Sequence, residues 1–391
     1  MSKIGVDIVG VGMTPFGKFP DKSLVTLSGA AIDAALGDAG VDRGMIDGAF
    51  VANSMASITT GQVAIVGQSI LRQLGFSGIP VYNIDNACAG SSSALNLAIQ
   101  SIRSGAASRI LVLGVEKLVT EDRSKAYLAL NGAADVDFVR RSGIDPTRES
   151  VFVAAVYPKR LQAYAQAYGL DATTLAAISV KNRAHAVHNE DAQYRDPLTL
   201  NDVLSSRPIV GPVTALMCAP IGDGASAVLV TRSDLVSGSQ RPVRIAASAV
   251  AMGGASPDRS AVRATAERAY AEAGIKPAAV HVAEVHDSIS FNELIAYEEL
   301  GFADQGQGAR LVQEGATSLG GFIPVNPSGG LESRGHPVAA TGLAQIVELV
   351  RQLRGDAGLR QVRGARIALA ENAGGFAKDD TAAIAITILE R

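Results

Sequence analysis

Residues 83–105 read NIDNACAGSSSALNLAIQSIRSG. Cys88, one of only two cysteines in the chain, stands there among Ala87, Ala89, Gly90 and three serines, just ahead of Leu95, Ile99 and Ile102. Apolar residues three and four apart form the stripe of a helix. The thiol therefore precedes a helix N-terminus, where unpaired N–H groups and a partial positive charge favour a thiolate. The same pattern returns in ATGLAQIVELVRQLRG (340–355), with Leu343, Val347 and Val350 at an offset of 248. That offset lays Cys88 over His336 in SRGHPVAATGLAQIV. Two equivalent helices thus carry a thiol and an imidazole at their positive ends, and a pseudo-twofold would bring those ends together.

The repeat extends in both directions. AIDAALGDAGVDRGMIDGAFV (31–51) matches AERAYAEAGIKPAAVHVAEV (266–285), and SRILVLGVE (108–116) matches ARIALAENA (365–373). Each half opens on a strand pattern, 3–13 and 242–252. The continuous apolar strands suit a sheet covered on both faces. The reading is a duplicated α/β chain: residues 1–116 plus 209–240 form one half and 241–391 the other. Residues 117–208 differ in texture, carrying helical patterns at 150–169, 171–190 and 198–206. They read as an insertion, after which ASAVLVT (225–231) returns to the core.

Composition narrows the function. The chain has 391 residues, 47% hydrophobic and 19% charged, with a formal net charge of −3. No basic run exists to hold nucleic acid. No apolar run approaches the length of a membrane span, and MSKIGVDIVGVG lacks a signal-peptide core. The expectation is a cytoplasmic protein. Two cysteines make no disulfide framework. No CxxC or HxxxH spacing lies near Cys88, so no metal is expected. The GxSxG of a serine hydrolase and a phosphate-binding P-loop are absent.

A lone cysteine most often packs as a small hydrophobe; the imidazole at its repeat mate makes Cys88 a nucleophile candidate. His286 follows the strand ending at Val285, a position where ligands bind in α/β cores. His185, His188 and His281 are read as packing or surface groups, and Cys218 as lying outside the site. Phe152, Tyr157 and Tyr164 read as core at helical spacing, with a pocket wall as the other reading.

Four strings carry a resemblance. NACAGSSSAL, HDSISFNE, NPSGGLESRGHPVAATG and ENAGGF (371–376) are similar to segments of the thiolase superfamily, and the His286-Asp287 pair is most similar to its sterol-carrier-protein-type branch. The resemblance spans essentially the whole chain. It implies a five-layer αβαβα thiolase fold, with 117–208 as a loop domain covering coenzyme A, and at least a homodimer. It implies an acyl-CoA-dependent acyltransferase, with CoA as substrate or product and no bound cofactor. Cys88 would take the acyl group and His336 would activate it. His286 and His336 would polarise the thioester oxygen, and the Cys88 and Gly374 amides would form a second oxyanion hole. The family's second cysteine is missing: the two positions it takes hold Asn372 and Ser288, left as possible acid/base replacements, with His286 as a further proton carrier. A C-acyltransferase or thioesterase-like activity is therefore an alternative. So is a non-catalytic acyl-CoA or lipid-binding subunit that needs a small OB-fold partner.

Overall fold

The computed structural model describes residues 4–238, 240–254, 260–377 and 380–391. Nine strands form its main sheet: β1 (Val6–Met13), β2 (Gly48–Ala52), β3 (Val81–Ile84), β4 (Arg109–Glu116), β5 (Gly224–Arg232), β6 (Val243–Ala251), β7 (Val282–Glu284), β8 (Ile367–Ala377) and β9 (Asp380–Glu390). They are hydrogen-bonded in the order β3-β2-β4-β5-β1-β6-β9-β8-β7. Among the described residues, the strand sets β3-β2-β4-β5-β1 and β6-β9-β8-β7 are hydrogen-bonded to each other where Asp7 pairs Arg244 and Ile8 pairs Val243. The returning strand β5 runs antiparallel between β4 and β1.

Alternation along the strands shows the layering. The longer helices are α1 (Leu24–Ala39), α2 (Gly90–Arg103), α3 (Tyr157–Tyr168), α4 (Ala172–Ala186), α5 (Ala261–Ala273), α6 (Ser290–Glu299) and α7 (Thr341–Arg354). Ile110 and Val112 of β4 share one core with Ala368 and Ala370 of β8, and with Leu95 and Ile99 of α2 and Leu343 and Val347 of α7. The intervening Leu111 and Leu113 face the other way, onto Ile32 and Ala35 of α1. On the opposite side Leu369 and Ile386 meet Ala266 of α5 and Phe291 of α6. Helices, half-sheet, paired central helices, half-sheet and helices make five layers. This is the five-layer αβαβα arrangement that the resemblance implies.

Two details differ from the sequence reading. Helix α7 is not a one-sided stripe: every residue but Arg351 is buried. Its polar groups find internal partners, Gln345 on the Glu371 carbonyl, Glu348 on Arg360 and Arg354 on Asp38. The repeat register also slips. Single 3₁₀ turns lead into the central helices at Ala87–Ala89 and Val338–Ala340, an offset of 251, so Cys88 matches Ala339 by element. A three-residue slip keeps the same helix face apolar, so hydrophobic pattern alone could not detect it.

Residues 117–208 hold a π-helical turn at Phe152–Val156 running into α3, then α4. Helix α4 packs into the C-terminal half's outer layer through Leu175, Ala176 and Ile178. Its Lys181 pairs with Glu293 inside that layer.

Candidate active site

Cys88 sits on a strained turn. Ala87 has φ 48°, a left-handed conformation that a residue with a Cβ rarely adopts. Asp85 holds the turn, its carboxylate accepting from the Ala87 N–H at 2.9 Å and from the Ser54 hydroxyl at 2.7 Å. Helix α2 follows at Gly90. The N-termini of α2 and α7 then touch. The Leu343 N–H donates to Ser91 Oγ at 3.1 Å, satisfying one of the orphan donors of α7 from the opposing helix. A Cβ on Gly342 would stand 2.1 Å from Ser92 Oγ, so only glycine permits this approach. The end of β8 is pressed on the same turn: a Cβ on Gly374 would lie 2.4 Å from the Asn86 carbonyl.

The convergence expected from the duplication is present. Cys88 Sγ and one ring nitrogen each of His286 and His336 lie within 4.8 Å of one another. The two rings stack edge to face, centroids 5.1 Å apart. All three side chains line a cavity of about 230 Å³. Its walls are mostly apolar, including Met55, Phe152, Val156 and Ile289. Cys88 and His336 keep part of their surface open.

Hydrogen bonds set different tautomers on the two imidazoles. The Thr341 hydroxyl donates to the Pro337 carbonyl at 3.0 Å. It must then accept from His336 Nδ1, 2.7 Å away, which leaves Nε2 of His336 with a free lone pair. His286 is the reverse case. Ser92 Oγ donates to Asn372 Oδ1 at 2.8 Å, which turns the amide so that Nδ2 donates to His286 Nδ1 at 3.1 Å. The proton of His286 therefore sits on Nε2. One ring is ready to take a proton, the other to give a hydrogen bond.

Both histidine segments are braced from behind. Asp287 accepts from the Leu331 N–H at 2.7 Å, tying the His286 loop to the short helix before His336. Glu284 pairs with the buried Arg334 at 3.0 Å, two residues from each histidine. Glu116 accepts from the backbone of Ser54, Met55 and Ala339, joining the N-terminal loops to the His336 segment.

Burial dominates the electrostatics. It pushes the Cys88 thiol up to about 12, against the lowering effect of the Gly375 N–H directed at it. It depresses His286 to about 3 and His336 well below the usual imidazole range, the latter aided by His286 and Arg334. Burial thus favours the neutral form of the thiol and of both imidazoles. It therefore works against the thiolate–imidazolium pair suggested by the helix-end argument and opposes the helix dipole, which acts over about one turn.

Of the two possible acid/base replacements, Ser288 lines the cavity that holds Cys88, and Asn372 stands behind His286. Asn372 is an amide committed at both ends to Ser92 and His286, so it positions His286 and has no proton to exchange. Ser288 Oγ accepts from Asn292 Nδ2 at 2.7 Å and lies 3.0 Å from the Tyr157 hydroxyl. Two amides are turned to the sulfur, that of Gly375, one residue beyond Gly374, and that of Cys88 itself. Cys218, expected elsewhere, lines the cavity; its thiol donates to the Thr214 carbonyl at 3.5 Å, and burial pushes it up to about 12. Tyr157 and Arg160 also line it. His185 is buried and structural, bonded to the Asn326 carbonyl and the Leu319 N–H. The Cys-His-His set is also one that a zinc ion could use.

Comparison with known proteins agrees with this architecture. The chain matches the family models "Thiolase, N-terminal domain" over residues 6–234 and "Thiolase C-terminal domain-like" over 247–387. It is 35% identical over 378 residues to an acetyl-CoA acetyltransferase of Methanothermobacter thermautotrophicus, covering 95% of this chain and 96% of the relative. It is 36% identical over 396 residues to sterol carrier protein 2 of Bos taurus, covering 94% and 70%. It is 33% identical over 384 residues to the benzoylsuccinyl-CoA thiolase subunit BbsB of Thauera aromatica, covering 95% and 94%. Among solved structures, an Ltp2-ChsH2(DUF35) aldolase superposes with TM-score 0.80 at 22% identity, over 99% of this chain and 98% of that one. Human mitochondrial 3-ketoacyl-CoA thiolase in complex with CoA does so with TM-score 0.75 at 18% identity, again over 99% and 98%. The chain belongs to the thiolase family of acyl-CoA acyltransferases.

Proposed function

We propose that the protein transfers acyl groups from acyl-CoA by a ping-pong route through a thioester on Cys88. The observation that carries this is the meeting of one thiol and two oppositely tautomerised imidazoles in a partly open cavity. Sγ attacks the thioester carbonyl while its proton passes to Nε2 of His336. The carbon–sulfur bond to CoA then breaks, and His336 returns the proton to the departing thiolate. Nε2–H of His286 stabilises the oxygen that gains charge, and the amides of Cys88 and the Gly374–Gly375 loop serve the acyl-enzyme. Concerted proton transfer suits a thiol held near 12, since neither ion has to exist alone before attack.

With CoA as acceptor that sequence only exchanges CoA. In thiolysis, the first reading, Sγ attacks the 3-oxo carbonyl of a 3-oxoacyl-CoA, and the bond from that carbon to the α-carbon breaks. The α-carbon takes the proton held on His336 and leaves as acetyl-CoA. CoA then receives the acyl group while its thiol proton returns through His336 to Cys88. A second reading, C-acyl transfer or thioesterase-like release, is favoured by the positions of Ser288 and Asn372. Neither offers a thiol to exchange protons with an α-carbon, and the Nε2–H tautomer makes His286 a donor in place of a base. Ser288→Cys is expected to raise acetoacetyl-CoA thiolysis under the first reading and to leave release unchanged under the second.

Residues 117–208 form the CoA and substrate cover in this proposal, because α3 and the π-turn before it wall the cavity. A cytoplasmic homodimer is also part of it. The supporting observations are the free edge strand β3 and the exposed apolar Ile65, Tyr82 and Leu97. No described helix is long and apolar enough to cross a membrane. A small OB-fold partner stays in the proposal through the relative named as a subunit and the neighbour named with DUF35.

Steady-state kinetics test the reading. Parallel double-reciprocal lines for a 3-oxoacyl-CoA against CoA support it, and intersecting lines contradict it. A chelator such as EDTA leaves the rate unchanged if the trio works without metal; loss of activity would assign it to zinc.

A further inference from the structure

The π-helical turn at Phe152–Val156 widens the helix just before α3 and sets its face. Tyr157 and Arg160, one turn apart, both line the cavity that holds Cys88. Arg160 stands out among the arginines. Arg183, Arg334, Arg354 and Arg360 are each buried and each hydrogen-bonded or ion-paired. Among the described residues, Arg160 is the arginine shielded from full exposure that makes neither a hydrogen bond nor an ion pair. Two carboxyls, Glu299 and Glu371, line the same cavity, and each accepts a hydrogen bond from another group. Glu299 accepts from Ser260 Oγ at 2.5 Å, and Glu371 accepts from the His286 N–H at 2.8 Å. Arg160 acts on both only at longer range, lowering carboxyls that burial raises.

A half-buried cation that shares its pocket with two carboxyls but is in contact with neither is costly unless a ligand completes it. A guanidinium presents a planar fork suited to a carboxylate. We infer that Arg160 is a specificity residue that receives a carboxylate on the acyl chain, so that the preferred substrate is the CoA thioester of a dicarboxylic acid. This rests on the acyl-Cys88 reading and names its substrate class. The pantetheine arm places the CoA phosphates many bonds from the thioester, outside a cavity of about 230 Å³ that contains both Cys88 and Arg160.

The test measures the rate of Cys88 acylation, by peptide mass, with matched thioesters that end in a carboxylate or a methyl group. Glutaryl against pentanoyl, adipoyl against hexanoyl and suberyl against octanoyl cover the unknown chain length. The wild-type protein is expected to prefer one of the carboxylate-ended members. In Arg160→Gln that preference falls about 30-fold, and Arg160→Lys restores part of it. Equal rates within every pair in the wild type would overturn the inference while leaving the acyl-Cys88 reading intact. Absence of any label from any thioester would sink that reading itself. Pantetheine thioesters separate the remaining source of anion. If Arg160→Gln slows CoA thioesters of both kinds but no pantetheine thioester, the arginine serves CoA phosphate and the inference fails.

Discussion

The two central helices are products of one duplication yet live in different surroundings. Helix α7 is buried on every side and carries Gln345, Glu348, Gln352 and Arg354 into the interior, each with a partner. Helix α2 buries one face and leaves Leu97 at 43% exposure and Gln100 in solvent. The shared requirement is at their N-termini, where both must come close enough for Ser91 and Ser92 to reach across. What duplication preserved is the meeting point; what diverged is what each helix brings there, a nucleophile on one side and a proton acceptor on the other.

That contrast can be broken most sharply at the meeting point. Cys88→Ala is expected to abolish acyl transfer, and His336→Ala to slow acylation about 1000-fold with the fold retained, read by circular dichroism and single-turnover rates. Next come the ion pairs. Arg360→Met leaves Glu348 of α7 buried without its partner and should cost about 3–5 kcal/mol in urea unfolding. Arg103→Ala, which breaks the Glu272 pair at the rim of α2, should cost no more than about 1 kcal/mol. Equal losses would mean that the two helices are not environmentally distinct. Gly342→Ala should destabilise by about 2 kcal/mol or more and lower activity together, since its Cβ collides with Ser92. Gly37→Ala in α1, where nothing lies within 4 Å, should instead stabilise by up to about 1 kcal/mol.

The last contrast is read through pH. A thiol raised to about 12 is protonated across the neutral range, and only the thiolate alkylates. Iodoacetamide labelling of the Cys88 peptide should therefore rise about tenfold per pH unit through pH 10. A plateau near the free-cysteine value of about 8.5 would show that the helix end, not desolvation, governs the sulfur.

Much of this was readable from residue order. The duplication was visible because β-α-β texture and apolar spacing repeat locally, and it placed Cys88 and His336 at one spot before any contact was known. The position of His286 after a strand is one where ligands bind, but position alone reads as structural, and its role came from the family resemblance. Other features depend on partners far along the chain. Asn372 is defined by Ser92, 280 residues away, and no local signal marks it as a positioning amide. The interior polar groups of α7 mimic a solvent face, because sequence spacing does not say that a second sheet lies behind. The slip from 248 to 251 hides within helical periodicity. Arg160 and Tyr157 enter the cavity through a π-turn that an apolar run such as VFVAAV does not announce. Cys218 arrives beside Ile289 through a single strand-like bridge, equally silent in sequence.

The central claim is that Cys88 accepts the acyl group with His336 as its proton acceptor. Mass mapping after brief incubation with acyl-CoA tests it directly in wild type, Cys88→Ala and His336→Ala. The account predicts an acyl mass on the Cys88 peptide of the wild type, none in Cys88→Ala and a trace in His336→Ala. An acyl group on Cys218 instead, or full labelling of Cys88 without His336, would contradict it.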